Sequence, residues 1–137
     1  MNRKELIAKY SENYLEQKFY SKNVMYAFSK EQIQDAIKKL GAKEEHELTS
    51  IFGIGDICLQ SKKKEIIEWI NRQTKEKEKW LQSLAKEEKE VIIRYELTNH
   101  ECGYTRDIAP VLTKLKDVFT NNLIINVWQK ARKESRD

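Results

Sequence analysis

The feature that most constrains the fold of this chain is the stretch from Lys63 to Asn99, which contains neither glycine nor proline. Good helix formers dominate it, so its composition predicts helix along the whole stretch. One helix of that length would extend roughly 55 Å, whereas a compact chain of this size has a radius of gyration of about 14 Å. The helix must therefore protrude from the fold or break.

Tryptophans stand on either side of a fully polar segment within this stretch. Trp69 precedes residues 71–79, which include no apolar residue, and Trp80 follows them. A fully polar helical span is usually exposed to solvent, so the apolar residues at its two ends need cover from elsewhere. A second subunit would cover both ends, which favours a homodimer. The alternative is a break between Ala85 and Lys89 that gives two antiparallel helices within one subunit.

Length and composition predict a single domain, residues 1–137, with one core. With 39% hydrophobic and 35% charged residues, four glycines and one proline, the chain is typical of a compact, helix-rich protein. The net charge of +4 permits an anionic ligand but is too small for the basic surface of a duplex-binding domain. Two cysteines without framework spacing, and no long apolar run, indicate a soluble protein of the reducing cytoplasm.

The first half of the chain combines helices with short β-prone segments. Apolar spacing predicts an amphipathic helix over residues 3–17 and a strand over residues 24–28. A glycine pair within residues 49–59 indicates one or two strands bent into a hairpin or bulge beside the first strand, and its spacing is not that of a phosphate-binding loop. The predicted fold class is α+β, with a small antiparallel sheet and long helices in an intertwined dimer.

A capped helix is predicted directly after the first strand. Ser29-Lys30-Glu31-Gln32 fits a capping box, in which the serine and glutamine side chains accept hydrogen bonds from opposite backbone N–H groups, and Gly41 marks the helix end. The N–H groups at such a helix start can bind an anion, although an ordinary strand-to-helix connection explains the same pattern. Further helices are predicted over 108–118 and 121–132, with a frayed tail from 133 to 137.

Polar and aromatic side chains crowd the end of the long helical stretch, from Tyr95 to Asp107. Gly103 is predicted to end the helix with a positive φ, because glycine adopts that conformation freely. Asp107 can then cap the next helix, with Pro110 in its first turn. The segment holds more hydrogen-bonding groups than capping requires, which makes it the first candidate for a site.

The spacing of these side chains groups them by helix face. Tyr95 and Asn99 share one face at i, i+4, and Glu96 and His100 share the next, with Arg106 following in the turn. An amide can pair with an adenine edge, a ring can stack on it and an arginine can bind phosphate, so the set suits a nucleotide-like anion. The alternative is that Asn99 and His100 only satisfy the helix end and that Arg106 is a solvated turn residue.

Signatures of catalysis and of metal binding are absent from the sequence. No nucleophile elbow, HExxH, Walker A or CxxC motif occurs, so the protein is predicted not to be an enzyme and to need no cofactor. His100, Glu101 and Cys102 are consecutive and cannot easily converge on one ion, which argues against a metal. Glu96 and His100 have the chemistry of an acid–base pair, but a binding pocket uses the same groups.

Several motifs, in this order along the chain, resemble a group of small phage-encoded proteins. The motifs are Tyr26-Ala27-Phe28-Ser29-x-x-Gln32, Lys39-Leu40-Gly41, the glycine-bearing strand from Ser50 to Ile57, Tyr95-Glu96-Leu97-x-Asn99-His100-Glu101, and Tyr104. The resemblance covers residues 16–115 and is most specific in the Asn-His-Glu box. Within that group the chain is similar to the phage anti-Thoeris sponges, which sequester cyclic ADP-ribose signals made by bacterial TIR-domain proteins.

The resemblance implies a noncatalytic homodimer that holds its ligand intact between subunits and allows further association to a hexamer with separate cyclic-oligonucleotide pockets. It also implies that Phe28, Asn99 and the neighbouring box contact the ligand, whereas Arg106 is inferred from its charge and position. Together the candidate ligand-binding residues are Phe28, Ser29, Tyr95, Asn99, His100, Glu101, Tyr104 and Arg106.

Three functions are compatible with these residues. The leading one is a phage anti-defence protein that sequesters a cyclic ADP-ribose-type or other cyclic nucleotide immune signal, uncleaved, in the cytoplasm of the infected bacterium. Adenine would stack on Phe28 or Tyr104, Asn99 would bind a polar edge, and Arg106 would hold the diphosphate. The alternatives are an inhibitor that binds a bacterial defence effector through the charged helix 63–79, and a small nucleotide hydrolase. No membrane and no duplex nucleic acid is expected as a partner.

Overall fold

The computed structural model of the chain describes residues 1–13 and 17–136, without the side chain of residue 136. Contacts between residues divide the chain into two compact units. The helical unit comprises Met1–Glu12 and Lys75–Asp137, and the sheet unit comprises Asn13–Thr74. This division does not test the single-domain expectation, which stays a prediction.

Helices make up most of the described chain. They are α1 (Arg3–Tyr10), α2 (Lys18–Asn23), α3 (Lys30–Leu40), α4 (Lys63–Ser83), α5 (Lys86–Asn99), α6 (Cys102–Thr105), α7 (Ala109–Leu115) and α8 (Asn121–Arg136). The strands are β1 (Met25–Tyr26), β2 (Leu48–Thr49) and β3 (Asp56–Leu59), and short 3₁₀ turns occupy Glu45–Glu47 and Gln60–Lys62. The predicted class, a helix-rich α+β fold with a small antiparallel sheet, is confirmed, while the intertwined dimer stays a prediction.

The sheet has three antiparallel strands in the order β1-β3-β2. Met25 of β1 pairs with Ile57 of the central strand, and Thr49 of β2 pairs with Cys58. Both strand predictions are therefore confirmed in place and pairing, although β1 is shorter than the segment predicted for it. Short strands leave the sheet with few ladder hydrogen bonds, so its order depends on the loops and helices around it.

The loop between β2 and β3 is organised around the carboxylate of Asp56, which is only 1% exposed. Its oxygens accept hydrogen bonds from the backbone N–H groups of Ile51 (2.8 Å), Phe52 (2.9 Å) and Ile54 (3.1 Å) and from the hydroxyl of Ser50 (2.8 Å). Burial alone would raise the pKa of Asp56, but these four donors outweigh it and lower the pKa to about 2. One buried anion therefore orders the whole connection.

Glycines allow this loop to close over the carboxylate. Gly53 and Gly55 have positive φ angles of 72° and 93°, which side chains rarely adopt. A Cβ atom at Gly55 would also collide with the ring of Phe28. The prediction of a bend at the paired glycines is confirmed, and the bend is a hairpin loop.

The capped helix α3 begins and ends as the sequence predicts. The hydroxyl of Ser29 accepts the backbone N–H of Gln32 at 3.2 Å, and Gly41 ends the helix with a φ of 78°. The second half of the capping box is different, because the side chain of Gln32 accepts the N–H of Phe28, at 2.7 Å, rather than that of Ser29. The backbone N–H of Phe28, just after the strand, and the backbone N–H of Gln32, in the first turn of the helix, therefore both have a hydrogen-bond acceptor.

Each unit has its own hydrophobic cluster, which corrects the expectation of one core. In the sheet unit the buried members are Tyr20, Val24, Cys58, Ile66 and Trp69. In the helical unit they are Leu6, Tyr10, Leu81, Leu84, Ile92, Ile93, Leu97, Cys102, Val111, Leu115, Phe119, Ile124 and Val127. The central element of the second cluster is α5, which contacts α1, α6, α7 and α8.

The long helical stretch breaks between α4 and α5, without glycine or proline. The hydroxyl of Ser83 donates to the carbonyl of Trp80 at 2.6 Å, and the side chain of Glu88 accepts the N–H of Ala85 at 3.1 Å, so local groups satisfy both helix ends. The expectation of unbroken helix from Lys63 to Asn99 is therefore wrong, because the helix breaks near Ala85. Trp80 packs, partly buried, against the cluster of its own unit. The homodimer that was favoured from the sequence stays a prediction.

Three smaller boundary predictions also change. The first helix ends at Tyr10 rather than at residue 17, and residues 14–16 of that prediction lie outside the described residues. The helix predicted over 108–118 is α7, which ends at Leu115. The tail expected to fray from 133 is helical through Arg136. Within this tail, Glu134 pairs with Arg94 of α5 at 3.0 Å, and residue 137 lies outside the described residues.

In the part of the chain that the structure describes, none of the helices combines the length and the apolar character needed to cross a bilayer.

Asp56→Asn is expected to lower the free energy of unfolding at pH 7 by roughly 2–4 kcal/mol, because an amide removes the charge and turns an NH₂ group towards backbone donors. Asp35→Asn is the matched control in the same unit, since it removes an exposed carboxylate that pairs with Lys39 on the surface of α3. It should cost less than about 1 kcal/mol. Urea unfolding followed by circular dichroism measures both, and equal losses would contradict the structural role of Asp56.

The contribution of Asp56 to stability should also disappear in acid. Its pKa is about 2 in the folded protein and 3.8 ordinarily, so the contribution is complete well above the ordinary value and is lost as the pH falls through the folded value. The unfolding free energies of the wild type and of Asp56→Asn should therefore converge between about pH 4 and pH 2. A difference that persisted undiminished into that range would rule out this titration.

Candidate functional site

A cleft of about 780 Å³ lies in the helical unit and is lined by residues of α5, α6 and α8 and of the turns at both ends of α6. This volume is in the range of sites that bind small molecules. The cleft is lined by three arginines, Arg94, Arg106 and Arg132, by two aromatic residues, Tyr104 and Trp128, and by one carboxylate, Glu101. Guanidinium groups bind phosphate and aromatic rings stack on bases, so this lining suits an anionic, ring-containing ligand.

The backbone at one side of the cleft has two unusual conformations. Glu101, between α5 and α6, has a φ of 52°, and Arg106, after α6, has a φ of 60°. They are the only non-glycine residues with positive φ in the described chain, and both line the cleft. Strained residues of this kind are concentrated at functional sites, which supports the cleft as the candidate.

These conformations correct the prediction for Gly103. The helix α5 ends at Asn99 with His100 as its C-cap, and Gly103 lies inside α6 without a positive φ. Glu101 takes the left-handed conformation instead, because α6 restarts immediately after it. The next helix is closer to expectation, since Asp107 accepts the N–H of Ala109 at 2.9 Å and Pro110 lies in its first turn.

Arg94 reaches the cleft but is already paired on two sides. Its guanidinium lies 3.0 Å from Oε1 of Glu90 and, through another nitrogen, 3.0 Å from Oε2 of Glu134. Lys130 adds a contact of 3.2 Å to Glu90 and holds the pKa of that carboxyl below its usual range, with help from Arg94. Two cations and two carboxylates therefore cross-link α5 to α8 as a neutral network.

The other two arginines are available to a ligand. Arg132 lies over the ring of Trp128, with 5.5 Å between the guanidinium carbon and the ring centroid, which holds it at the cleft wall by a cation–π contact. In the described residues the guanidinium of Arg106 has no ion-pair or hydrogen-bond partner. Tyr104 is 90% exposed, so its ring is free for stacking.

Of the residues predicted from the sequence, Glu101, Tyr104 and Arg106 line this cleft. Tyr95, Asn99 and His100 do not. The hydroxyl of Ser11 donates to the phenol oxygen of Tyr95 at 3.3 Å, and this bond, with a second one from Asn99, holds the pKa of Tyr95 below its usual range. The ring of Tyr95 also meets Tyr10 edge-on, at 6.0 Å between centroids. The Tyr95–Asn99 face, as predicted, carries paired side chains, but it packs against α1.

The predicted pairing of Glu96 with His100 also exists, in a buried cluster beside that face. Glu96 is 1% exposed, and Lys114 of α7 lies 3.1 Å from its Oε1 atom. His100 Nε2 lies 3.2 Å from Oε2, yet Oε2 accepts no hydrogen bond in the described structure. Burial, and then the Glu96 carboxylate, raise the pKa of Tyr10. This cluster ties α1 and α7 to α5.

The remaining two predicted residues belong to the sheet unit. Phe28 is 74% exposed and its ring lies against Gly55, while Ser29 caps α3. The hydroxyl of Ser29 accepts the N–H of Gln32. Ser29 is thus used by the helix start, which is the ordinary strand-to-helix reading of the sequence.

Among the lining residues that had not been predicted to bind the ligand, three have guanidinium or aromatic groups suited to it: Arg94, Trp128 and Arg132. The spacing of Trp128 and Arg132 at i, i+4 was a possible signal, since an aromatic residue and an arginine at that spacing share a helix face. Trp128 was predicted only as part of a buried stripe. Among the described residues, no group of three or more His, Cys, Asp or Glu side chains is arranged to hold a metal ion.

The fold and the cleft define this protein as a small, helix-rich α+β protein with an arginine-lined, partly aromatic cleft in its helical unit. A family model described as a family of unknown function, DUF7659, matches residues 8–134, and the chain belongs to this family. No curated protein and no solved structure matches the chain.

Lys114→Met is expected to lower the free energy of unfolding by about 1–3 kcal/mol, because it leaves the buried Glu96 carboxylate without its closest cation. Lys116→Met is the control, an exposed lysine just beyond the same helix, and should have little effect. The double variant Glu96→Gln/Lys114→Met should recover part of the loss, because the buried charge is then absent. Denaturant unfolding measures all three, and a Lys114→Met midpoint equal to the wild type would exclude this pairing.

Proposed function

We propose that this protein binds a nucleotide-type signal of the cyclic ADP-ribose class in the cleft of the helical unit and sequesters it without cleaving it. The observation that carries the proposal is the pairing of two available guanidinium groups with an exposed aromatic ring in one cleft. This combination suits a ligand that carries a diphosphate and an adenine ring, because guanidinium groups bind phosphate and aromatic rings stack on bases.

Each group has a part in this proposal. Arg106 and Arg132 bind the phosphate oxygens, and the contact of Arg132 with Trp128 limits the side-chain freedom lost on binding. Tyr104 stacks on the base. Arg94 fixes the distance between α5 and α8 through its two carboxylate partners, so it shapes the cleft more than it neutralises the ligand.

Sequestration without reaction is part of the same proposal. Glu96 and His100, the acid–base pair considered from the sequence, do not line the cleft, and Glu96 is engaged by Lys114. A ligand bound in the cleft therefore meets arginines and an aromatic ring but not this pair. Hydrolysis of the ligand is the alternative, and the release experiment distinguishes it from sequestration.

The biological setting rests on the resemblance of the sequence motifs, chiefly Ala27-Phe28-Ser29 and Glu96-Leu97-x-Asn99-His100-Glu101, to those of the phage sponges. In that setting the protein acts in the cytoplasm of an infected bacterium and removes the signal of a Thoeris defence system. A homodimer, with further association to a hexamer, belongs to the same proposal. Light scattering at micromolar concentration tests the assembly directly, and a monomer mass would exclude the dimer.

A release experiment tests sequestration. The purified protein is mixed with cyclic ADP-ribose, freed of excess ligand and heated, and the supernatant is analysed by chromatography. We expect unchanged cyclic ADP-ribose in the supernatant, because binding alone breaks no bond. Recovery of linear ADP-ribose would establish the hydrolase alternative, and recovery of no ligand would exclude this signal as the ligand.

Charge-neutralising variants test the site. Arg106→Gln and Arg132→Gln should each weaken binding of cyclic ADP-ribose about tenfold or more, since a charge-assisted hydrogen bond to phosphate contributes about 1.5–3 kcal/mol. Both losses should shrink at high salt, because an exposed charge pair is screened. Lys133→Gln removes the same charge from α8 outside the cleft and should retain affinity. Calorimetry measures the three variants.

Asn99→Ala tests whether the ligand binds in the cleft or at the Tyr95–Asn99 face that the sequence predicted. Because Asn99 does not line the cleft, this variant should bind cyclic ADP-ribose as the wild type does. A tenfold loss in Asn99→Ala with wild-type affinity in Arg106→Gln would move the site to the Tyr95–Asn99 face.

A further inference from the structure

The charges that line the cleft can be counted group by group. Arg94 is neutralised within its network with Glu90, Glu134 and Lys130, in which two positive and two negative charges cancel. The lining that remains carries two positive charges, on Arg106 and Arg132, and one negative charge, on Glu101. A ligand therefore meets two cations and one anion.

Glu101 is not used elsewhere in the structure. Its side chain forms no ion pair and no hydrogen bond with the described residues, whereas the other carboxylates near the cleft, Glu90 and Glu134, are both paired. An ionised carboxylate only accepts hydrogen bonds, so it favours a ligand group that donates, such as a sugar hydroxyl or an exocyclic amine. It also repels a phosphate.

The position of Glu101 in the chain places it near the other two groups that the ligand would contact. Glu101 and Arg106 lie at the two ends of α6, the short helix that carries Tyr104, and both have left-handed backbone conformations. All three residues line the same cleft, with Glu101 and Arg106 within three residues of Tyr104. A ligand with its phosphates at Arg106 and a hydroxyl or amine at Glu101 satisfies both ends.

We infer that Glu101 determines which ligands the cleft accepts: it selects ligands with two negative charges and a hydrogen-bond donor, and it rejects polyphosphates. This inference rests on the proposed function, because it concerns the same cleft. Cyclic ADP-ribose has two negative phosphate charges and free hydroxyl groups. ATP has about four negative charges at neutral pH, and the Glu101 carboxylate would repel the additional ones. Discrimination against ATP matters for any sequestering protein, because ATP is abundant in cells and would otherwise fill the cleft.

Glu101→Gln tests the inference because it removes the charge while keeping the length of the side chain and an acceptor oxygen. Affinities for cyclic ADP-ribose, ATP and inorganic pyrophosphate are measured by calorimetry at low and high salt. We expect Glu101→Gln to bind ATP and pyrophosphate about tenfold more tightly than the wild type at low salt, with a smaller gain at high salt. Its affinity for cyclic ADP-ribose should change less than about threefold, since the lost repulsion is offset by a weaker acceptor.

Glu87→Gln is the matched control. Glu87 lies in the first turn of α5, outside the cleft, and its substitution changes the net charge of the protein by the same amount. It should leave all three affinities unchanged. An equal gain for ATP in Glu87→Gln and Glu101→Gln would show that net charge alone is responsible and would overturn the inference.

The outcomes separate the inference from the proposed function. If the wild type binds cyclic ADP-ribose and Glu101→Gln keeps the same ratio of ATP affinity to cyclic ADP-ribose affinity, the inference is wrong and the proposed function stands. If neither the wild type nor the variant binds any of the three probes, the proposed function fails and the inference fails with it. A selective gain of ATP binding in Glu101→Gln supports the inference.

Discussion

The burial of one helix face organises the helical unit. Ile92, Ile93 and Leu97 of α5 are buried in the cluster that α1, α7 and α8 complete. Fully burying side chains of this kind stabilises a fold by about 1.5–3 kcal/mol each. Once that face is turned inward, the 3.6-residue period directs every other side chain of α5, so the cleft and the polar cluster around Glu96 follow from the same packing.

Two faces of α5 carry polar side chains, one around Glu96 and one around Arg94, and they have different roles. The Glu96 carboxylate is buried, and it contacts Lys114 of α7 and raises the pKa of Tyr10 of α1. Such an arrangement specifies which helices meet, because a buried carboxylate without a partner is costly. The side with Arg94 faces the cleft and is tied to α8 by carboxylates. The first is therefore suited to stability and the second to binding.

The sheet unit uses a buried charge in a comparable way. Its strands are short, and Asp56 replaces many of the ladder hydrogen bonds with contacts from the carboxylate to the loop backbone. The same arrangement explains the glycines, because the backbone must turn with positive φ to bring its N–H groups to one acceptor. The glycine pair thus lets the loop enclose an anion of its own chain, the Asp56 carboxylate.

Features that depend on neighbours in the chain were determined by the sequence alone. The cap at Ser29, the left-handed Gly41, the i, i+4 pairing of Glu96 with His100 and the contact of Asp107 with the next helix all rest on groups within four residues of each other. At that range, local geometry fixes which groups meet.

Features that join distant segments were decided only by the tertiary structure. No glycine or proline marks the break between α4 and α5 in the sequence. At the break, Leu81 and Leu84 are buried in the cluster, and ordinary side chains form hydrogen bonds with the backbone at the two helix ends. Arg94 and Arg132 meet one cleft because α5 and α8 pack together. The spacing of residues in the sequence determines which side chains share a face of one helix. Which side chains from different helices line the same cleft is determined by how those helices pack. For that reason the sequence pointed to the end of α5 as the site, whereas in the fold Glu101 lines the cleft and Tyr95, Asn99 and His100 lie outside it.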